Sequence, residues 1–154
     1  MQQKQTMNST EIPAGRIVAL DPGTKRVGVA VSDESRLIAT PLPHIERKSW
    51  KSLLTSVQSV LTDFDAVALV LGLPLETDGS ESDMSTEARD MARKFTLSLE
   101  IPVFLQDERA TSYEAKSRMW EQGVSLAESR KNVDSEAAAI ILTDFLGSIS
   151  PANK

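Results

Sequence analysis

The stretch that decides the fold is Arg16-Ile17-Val18-Ala19-Leu20-Asp21-Pro22-Gly23-Thr24-Lys25-Arg26-Val27-Gly28-Val29-Ala30-Val31. Residues 16–21 form a compact apolar strand that ends in an acid. Pro22 has a fixed φ and Gly23 can adopt positive φ, so a turn is predicted over residues 22–25. A second apolar strand, residues 27–31, follows so closely that the two strands are predicted to pair as an antiparallel hairpin.

The pattern then changes from strands to a helix and back. Residues 37–40 are predicted to form a short third strand, stopped by Pro41. Apolar residues recur with helical spacing over residues 50–61, which predicts an amphipathic helix. The continuous apolar run at residues 66–71 is typical of a strand buried on both faces.

The second half of the chain continues this alternation. A helical stripe over residues 88–99 precedes a short apolar strand at residues 102–105. A capping box opens a helix predicted over residues 111–123, and the last helix is predicted over residues 133–146. The basic residues 130–131 are interpreted as a mobile stretch before it. The prediction is an α/β fold with a mixed five-stranded sheet, three strands antiparallel and two parallel, and helices on both faces.

Composition limits the chemistry. The 154 residues suit one domain, predicted at residues 16–146 between flexible tails at residues 1–15 and 147–154. The absence of cysteine excludes disulfides, thiolate nucleophiles and zinc–thiolate sites. His44, the single histidine, falls in a predicted strand-to-helix connection and is interpreted as a solvated loop residue. Chemistry must therefore use carboxylates, lysines, arginines or a metal with oxygen ligands.

Hydropathy and net charge give expectations about the location of the protein and its partners. No apolar run approaches the ~20 residues of a membrane span, and no signal peptide is apparent, so a cytoplasmic protein without a membrane partner is expected. The net charge of −5 does not exclude a nucleic-acid partner, because bound cations would offset an acidic centre.

Four acids stand out by their predicted positions. Asp21 closes the first strand, and Asp107 and Glu108 close the last strand. Asp134 lies near the start of the final helix, on its apolar, core-facing stripe. Singly, each acid could cap a turn or a helix, or pair with a surface cation. Together they are predicted to meet at one edge of the sheet.

Acids in such an arrangement suit metal-assisted hydrolysis of phosphodiesters. Mg²⁺ and Mn²⁺ prefer carboxylate and water oxygens as ligands. Two such ions, roughly 3.5–4 Å apart, activate the attacking water and stabilise the leaving oxygen. This chemistry needs neither histidine nor cysteine, which agrees with the composition.

Four motifs in order give the chain a resemblance to a known family. They are Asp21-Pro-Gly-Thr-Lys-Arg-Val-Gly28, Gly72-Leu-Pro-Leu75 with Asp78-Gly79, Asp107-Glu-Arg-Ala-Thr-Ser112 and Val133-Asp-Ser-Glu-Ala-Ala138. The chain resembles the YqgF family of bacterial proteins, described as Holliday junction resolvases or pre-16S rRNA nucleases. The resemblance extends over about residues 16–146. It implies an RNase H-like fold, a cytoplasmic location, dependence on a divalent metal, and maturation of the 5′ end of 16S ribosomal RNA.

The resemblance also suggests roles for individual residues. Asp21 is expected to bridge two Mg²⁺ or Mn²⁺ ions, Glu108 and Asp134 each to hold one, and Asp107 to orient or replace a ligand. The candidates for substrate contact are Thr24, Lys25, Arg26, Gly72, Arg109, Thr111 and Lys131. For the charged candidates, ordinary solvated side chains are the alternative.

Other functions fit parts of the same pattern. The turn after Asp21 also resembles the first phosphate loop of sugar kinases and actin-like ATPases, which need a second domain that 154 residues do not supply. A non-catalytic module that binds nucleic acid or assembles ribosomes is another alternative. The sequence does not separate precursor 16S rRNA from branched DNA, a monomer from a homodimer, or a ribosomal subunit from an assembly factor as partner.

Overall fold

The computed structural model describes residues 12–23, 25–108 and 126–149, and in the last range it describes side chains from Ser135 onward. Five strands form a single sheet in the order β3-β2-β1-β4-β5. Their bounds are Ile17–Pro22 for β1, Arg26–Ser32 for β2, Ala39–Glu46 for β3, Ala68–Leu73 for β4 and Val103–Asp107 for β5. Strands β1, β2 and β3 pair antiparallel, whereas β4 lies parallel to β1 and β5 lies parallel to β4. The predicted mixed sheet is confirmed.

Three helices are described, and local chemistry explains where two of them begin. The hydroxyl of Ser49 caps α1 (Trp50–Asp63) by accepting a hydrogen bond from the amide of Ser52. Ser82 and Ser85 form a reciprocal capping box at the start of α2 (Asp83–Ser98). The third described helix is α3 (Leu126–Ile149).

The helices cover both faces of the sheet, as predicted. Successive residues of a strand point to opposite faces, so Val18 and Leu20 pack under α1 and α2 while Ile17 and Ala19 pack under α3. The sheet face under α3 carries the small residues Ala19, Ala30 and Ala68, and Ala138 of the helix belongs to the same cluster, which lets helix and sheet approach closely.

Strand β3 was predicted over residues 37–40, but it begins at Ala39 and continues to Glu46, so that it includes His44. Pro41 does not stop the strand but pairs in register with Ala30. A proline has no N–H to donate, which is tolerated because β3 is an edge strand, bonded on one side only. The His44 ring nitrogen lies 3.2 Å from a carboxylate oxygen of Glu46. The interpretation of His44 as a loop residue was therefore wrong.

The last helix begins at Leu126 rather than near residue 133, so Arg130 and Lys131 lie within it and not in a preceding mobile stretch. This segment is rich in good helix formers, which the search for apolar periodicity undervalued. The helix continues to Ile149, and Ile12 is buried against the α3 face, so both predicted tail boundaries differ. The helix predicted over residues 111–123 lies outside the described residues. None of the described helices is long and apolar enough to cross a membrane.

The core under α1 and α2 depends on Phe95, which is fully buried and packs its ring 4.8 Å from that of Trp50. Phe95→Ala is expected to lower the free energy of unfolding by about 3–5 kcal/mol, because the cavity is too large to close. Leu97, on the same helix but 76% exposed, is the matched control. Leu97→Ala should change the free energy of unfolding by less than about 0.5 kcal/mol, as measured by urea titration. Equal effects of the two substitutions would contradict this packing.

Candidate active site

The topology brings the carboxyl ends of three strands to one edge of the sheet. Strands β1, β4 and β5 are parallel neighbours in this order, so all three end on the same side. Asp21 occupies the end of β1, in register with Gly28 of β2, and is half-buried. Asp107, the last residue of β5, is exposed, and Glu108 follows it directly. The edge that the sequence predicted does therefore carry acids from two separate strands.

Glu108 is held against the end of β4. Its backbone N–H donates to the carbonyl oxygen of Leu73 over 3.0 Å, which continues the parallel pairing one residue past β5. The residue is only 6% exposed. Both of its carboxylate oxygens are buried, and no basic, amide or hydroxyl group in the described part of the chain donates to them. A buried carboxylate without such a donor is costly unless a proton is shared with a neighbouring acid or a cation binds.

Gly72 allows this burial. A Cβ atom on Gly72 would lie 2.5 Å from the Cδ1 of Ile141 and 3.7 Å from the Cγ of Glu108. The missing side chain therefore leaves room for α3 to pack directly on β4 and to cover Glu108. This is a structural reason for glycine here, and contact of Gly72 with substrate stays a prediction.

Burial is the first cause that raises the pKa of Glu108 from 4.5 to about 9. The next causes are a hydrogen bond with the Asp144 side chain and the negative charges of Asp144, Asp21 and Asp107. Two carboxyl groups hydrogen-bond to each other only when one holds a proton. The site therefore needs positive charge, which a proton or a metal cation can supply.

Asp144 is a residue that the sequence analysis missed. It lies on α3 one turn after Ile141, the residue that touches Gly72, and just before Phe145, whose ring packs 5.3 Å from that of Phe104 in β5. These contacts place it beside Glu108. Its helical spacing from Ile141 was the available signal, but the sequence does not tell which strand end this part of the helix crosses.

Asp134 lies within α3, and its side chain is not among those described. The next residue, Ser135, accepts a hydrogen bond from the amide of Val29 over 3.1 Å. Val29 adjoins Gly28, which pairs with Asp21. The helix backbone at Asp134 is thus near the end of β1 that holds Asp21. Coordination of a metal by Asp134 stays a prediction.

The other predicted substrate contacts divide into two groups. Lys25 and Arg26 are exposed, between Asp21 and the body of β2, and their contact with substrate stays a prediction. The remaining candidates fall outside the described residues or side chains: Thr24, Arg109, Thr111 and Lys131. Their roles stay predictions.

The donor set fits a hard divalent cation. The buried oxygens of Glu108 have no basic, amide or hydroxyl donor among the described residues, and the neighbouring acids at this edge supply further carboxylate oxygens. Within the described side chains, no three acids or histidines lie close enough to form a complete metal site. Asp134, whose side chain lies outside that set, stays the predicted further ligand.

These features define a class of protein: an RNase H-like domain with acids gathered at the carboxyl edge of a mixed sheet. A family model described as "RuvX: Holliday junction resolvase" matches residues 15–148, and the chain belongs to this family. The resemblance noted from the four motifs is thereby confirmed.

Relatives of known name agree with the family. A protein of Anaeromyxobacter sp. (strain Fw109-5) is 39% identical over 131 residues, which cover 85% of this chain and 96% of the relative. One from Roseiflexus sp. (strain RS-1) is 36% identical over 134 residues, covering 87% and 95%. The names of both describe them as candidate pre-16S rRNA nucleases.

Solved structures support the fold alone. RuvC of T. thermophilus, in complex with a Holliday junction substrate, matches with a TM-score of 0.54 at 13% identity, covering 90% of this chain and 96% of that one. The fowlpox virus Holliday junction resolvase matches with a TM-score of 0.53 at 15% identity, covering 87% and 99%. The predicted RNase H-like fold is confirmed.

The raised pKa of Glu108 predicts how the stability of the metal-free protein depends on pH. Between about pH 4.5 and about pH 9 the folded protein holds a proton that the unfolded chain has released. The free energy of unfolding should therefore fall as pH rises through this window. Glu108→Gln should remove most of the fall, since the amide cannot ionise. Urea titrations in EDTA at several pH values in this range measure the free energy of unfolding of wild type and of Glu108→Gln. Glu100→Gln, at an exposed position, is the control. An unchanged pH dependence in Glu108→Gln would contradict the assignment.

The contact over Gly72 gives a prediction about packing. Gly72→Ala should destabilise the fold by about 1–3 kcal/mol, because the new methyl group meets the Cδ1 of Ile141. Adding Ile141→Val removes that atom and should restore part of the loss. Gly147→Ala is the control. Gly147 lies on α3, like Ile141, and a Cβ atom there would meet nothing within 4 Å, so the substitution should stabilise the helix by about 0.5–1 kcal/mol. Additive effects of the two core substitutions in urea titrations would contradict the contact.

Proposed function

We propose that this protein is a divalent-metal-dependent nuclease that hydrolyses phosphodiester bonds in the 5′-end maturation of pre-16S rRNA. The observation that carries the proposal is the buried carboxylate of Glu108, to which no basic, amide or hydroxyl group of the described residues donates, at the sheet edge where β1 presents Asp21. Such a group is expensive to keep for stability alone, whereas a cation bound there compensates its charge. The names of the relatives support the choice of substrate.

The acids of the chain would hold Mg²⁺ or Mn²⁺, Asp21 from β1 and Glu108 from β5, with Asp134 as the further predicted ligand. When bound, two such ions lower the pKa of the attacking water and offset charge on the leaving oxygen. The rigid pairing of β1, β4 and β5 fixes the separation of these carboxylates, which in-line attack requires. Asp107, exposed next to Glu108, can orient a ligand or take its place.

The basic residues near the site would bind the substrate backbone. Lys25 and Arg26 are exposed where the chain turns from Asp21 into β2, so a phosphate at the acids would contact them. Arg109, Thr111 and Lys131 are proposed to extend this contact along the nucleic acid. In the cell, the proposed setting is the cytoplasm, with the ribosomal subunit or an assembly factor as partner.

A four-way DNA junction is the second candidate substrate, because the matching family model is described as a Holliday junction resolvase. Paired cuts in a symmetric junction require two active sites, so this function needs a homodimer. Pre-16S rRNA processing is compatible with a monomer. A non-catalytic binding module is less consistent with the site, because a group of carboxylates at one sheet edge repels phosphates.

The proposal is tested with purified protein on a precursor 16S RNA and on a DNA junction, with Mn²⁺ or Mg²⁺. Cleavage of the RNA should require the metal, stop in EDTA and fall at least about 10³-fold in Asp21→Asn. Asp63→Asn, an exposed acid at the end of α1, is the matched control and should keep full activity. Equal residual activity in Asp21→Asn would indicate a contaminating nuclease and refute the proposal. Cleavage of the junction alone would assign the DNA substrate instead.

A further inference from the structure

Arg47 contacts the turn that follows Asp21 at two points. The residue comes directly after β3, and its backbone N–H donates to the carbonyl oxygen of Lys25 over 2.8 Å. Its Nη1 donates to the carbonyl oxygen of Gly23 over 2.6 Å. One residue from outside the β1–β2 hairpin therefore bonds to backbone carbonyls on both sides of the turn.

A second contact holds the Arg47 side chain itself. Its Nη2 donates to a carboxylate oxygen of Glu87 in α2 over 2.9 Å. The Arg47 side chain is 22% exposed, whereas that of Glu87 is 46% exposed, so the guanidinium is partly shielded from water and the carboxylate is not. The guanidinium bridges a helix and a turn, and its planar fork sets the direction of both bonds.

The turn has little freedom to adjust on its own. A Cβ atom on Gly23 would lie 2.4 Å from the carbonyl oxygen of Arg26, so the backbone folds tightly on itself here. Displacement of the Gly23 carbonyl would therefore be passed to the end of β1, where Asp21 lies. Misplacement of a catalytic group by about 1 Å can lower a rate about 10²-fold.

We propose that Arg47 is a positioning residue for the candidate active site: it anchors the turn at Gly23 and Lys25 to α2 and thereby holds the Asp21 carboxylate in place. The proposal rests on the proposed function, in which Asp21 is a metal ligand. It adds α2, which supplies none of the candidate site residues, to the elements that determine the geometry of the site.

Direct binding of substrate phosphate is the alternative role for Arg47. The residue lines a cleft of about 300 Å³ together with Lys48, Trp50 and Lys94. Acids in the same cleft, Glu87 and Asp90, oppose an anion. Both Nη atoms already donate to protein groups, so the positioning role fits the bonds better than the phosphate-binding role.

The test compares Arg47→Met with Arg89→Met. Arg89 lies on α2, and among the described residues its guanidinium donates to Glu81, over 2.8 Å from Nη2, rather than to the turn, so it is a matched control for loss of an arginine ion pair. Arg47→Met should lower kcat on the RNA about 10–100-fold at nearly unchanged KM, while Arg89→Met should change neither. Arg47→Met with Glu87→Gln should be no slower than Arg47→Met alone, because both act through one anchor.

A readout without activity separates this proposal from the proposed function. Hydrogen exchange of a peptide spanning the turn should be faster in Arg47→Met than in wild type and unchanged in Arg89→Met. Inactive wild-type protein would refute the proposed function. The exchange result would still show whether Arg47 holds the turn at Gly23 and Lys25. Unchanged exchange would overturn the positioning role. A raised KM with unchanged kcat and a shallower salt dependence would assign Arg47 to phosphate binding and overturn it as well.

Discussion

The close approach of α3 to β4 at Gly72 is the contact on which the candidate site depends. Ile141 occupies the space that a side chain at position 72 would fill, and the same approach covers the carboxyl group of Glu108. Glu108 is thereby removed from water next to Asp144, and its pKa rises to about 9, first of all through burial. The demand for positive charge at this sheet edge is thus a consequence of how tightly one helix packs on one strand.

The order of the strands in the sheet determines which acids lie together at this edge. Because β1, β4 and β5 run parallel and adjacent, Asp21 and Glu108 reach the same edge from opposite sides of β4. After Asp21 the chain makes a tight turn into the antiparallel strand β2. Arg47, which directly follows β3, bonds to that turn. Each strand of the sheet therefore contributes to the geometry of a small region at its carboxyl edge.

Much of this could be predicted from the sequence, because strong local patterns encode it. The strand before Asp21 and strand β4 are continuous apolar runs, and the turn between β1 and β2 contains Pro22 and Gly23. Each of these is a local signal that the rest of the fold does not override. Strand β3 was predicted too short, because Pro41 is compatible with a strand only at an edge, and edge position is a property of the whole sheet. The start of α3 was predicted too late, because its first turns have helix-forming residues but a weak apolar stripe.

The parts of the site that could not be predicted depend on contacts distant in sequence. Asp144 lies in the last third of α3, and the contacts of Ile141 with Gly72 and of Phe145 with Phe104 show that this turn lies over β4 and β5. The role of Arg47 rests on bonds from a side chain to backbone carbonyls, which have no sequence signature. Acids at strand ends can be found from a pattern, whereas the residues that position them require the structure.

The most direct test of the account is anomalous diffraction from crystals grown with Mn²⁺. We expect an anomalous peak within coordination distance, about 2.0–2.2 Å, of carboxylate oxygens of both Asp21 and Glu108, or two peaks that share Asp21. Such a peak should be absent from crystals of Glu108→Gln grown in the same way. Manganese bound only elsewhere on the protein, with Glu108 still buried without a cation, would contradict the account.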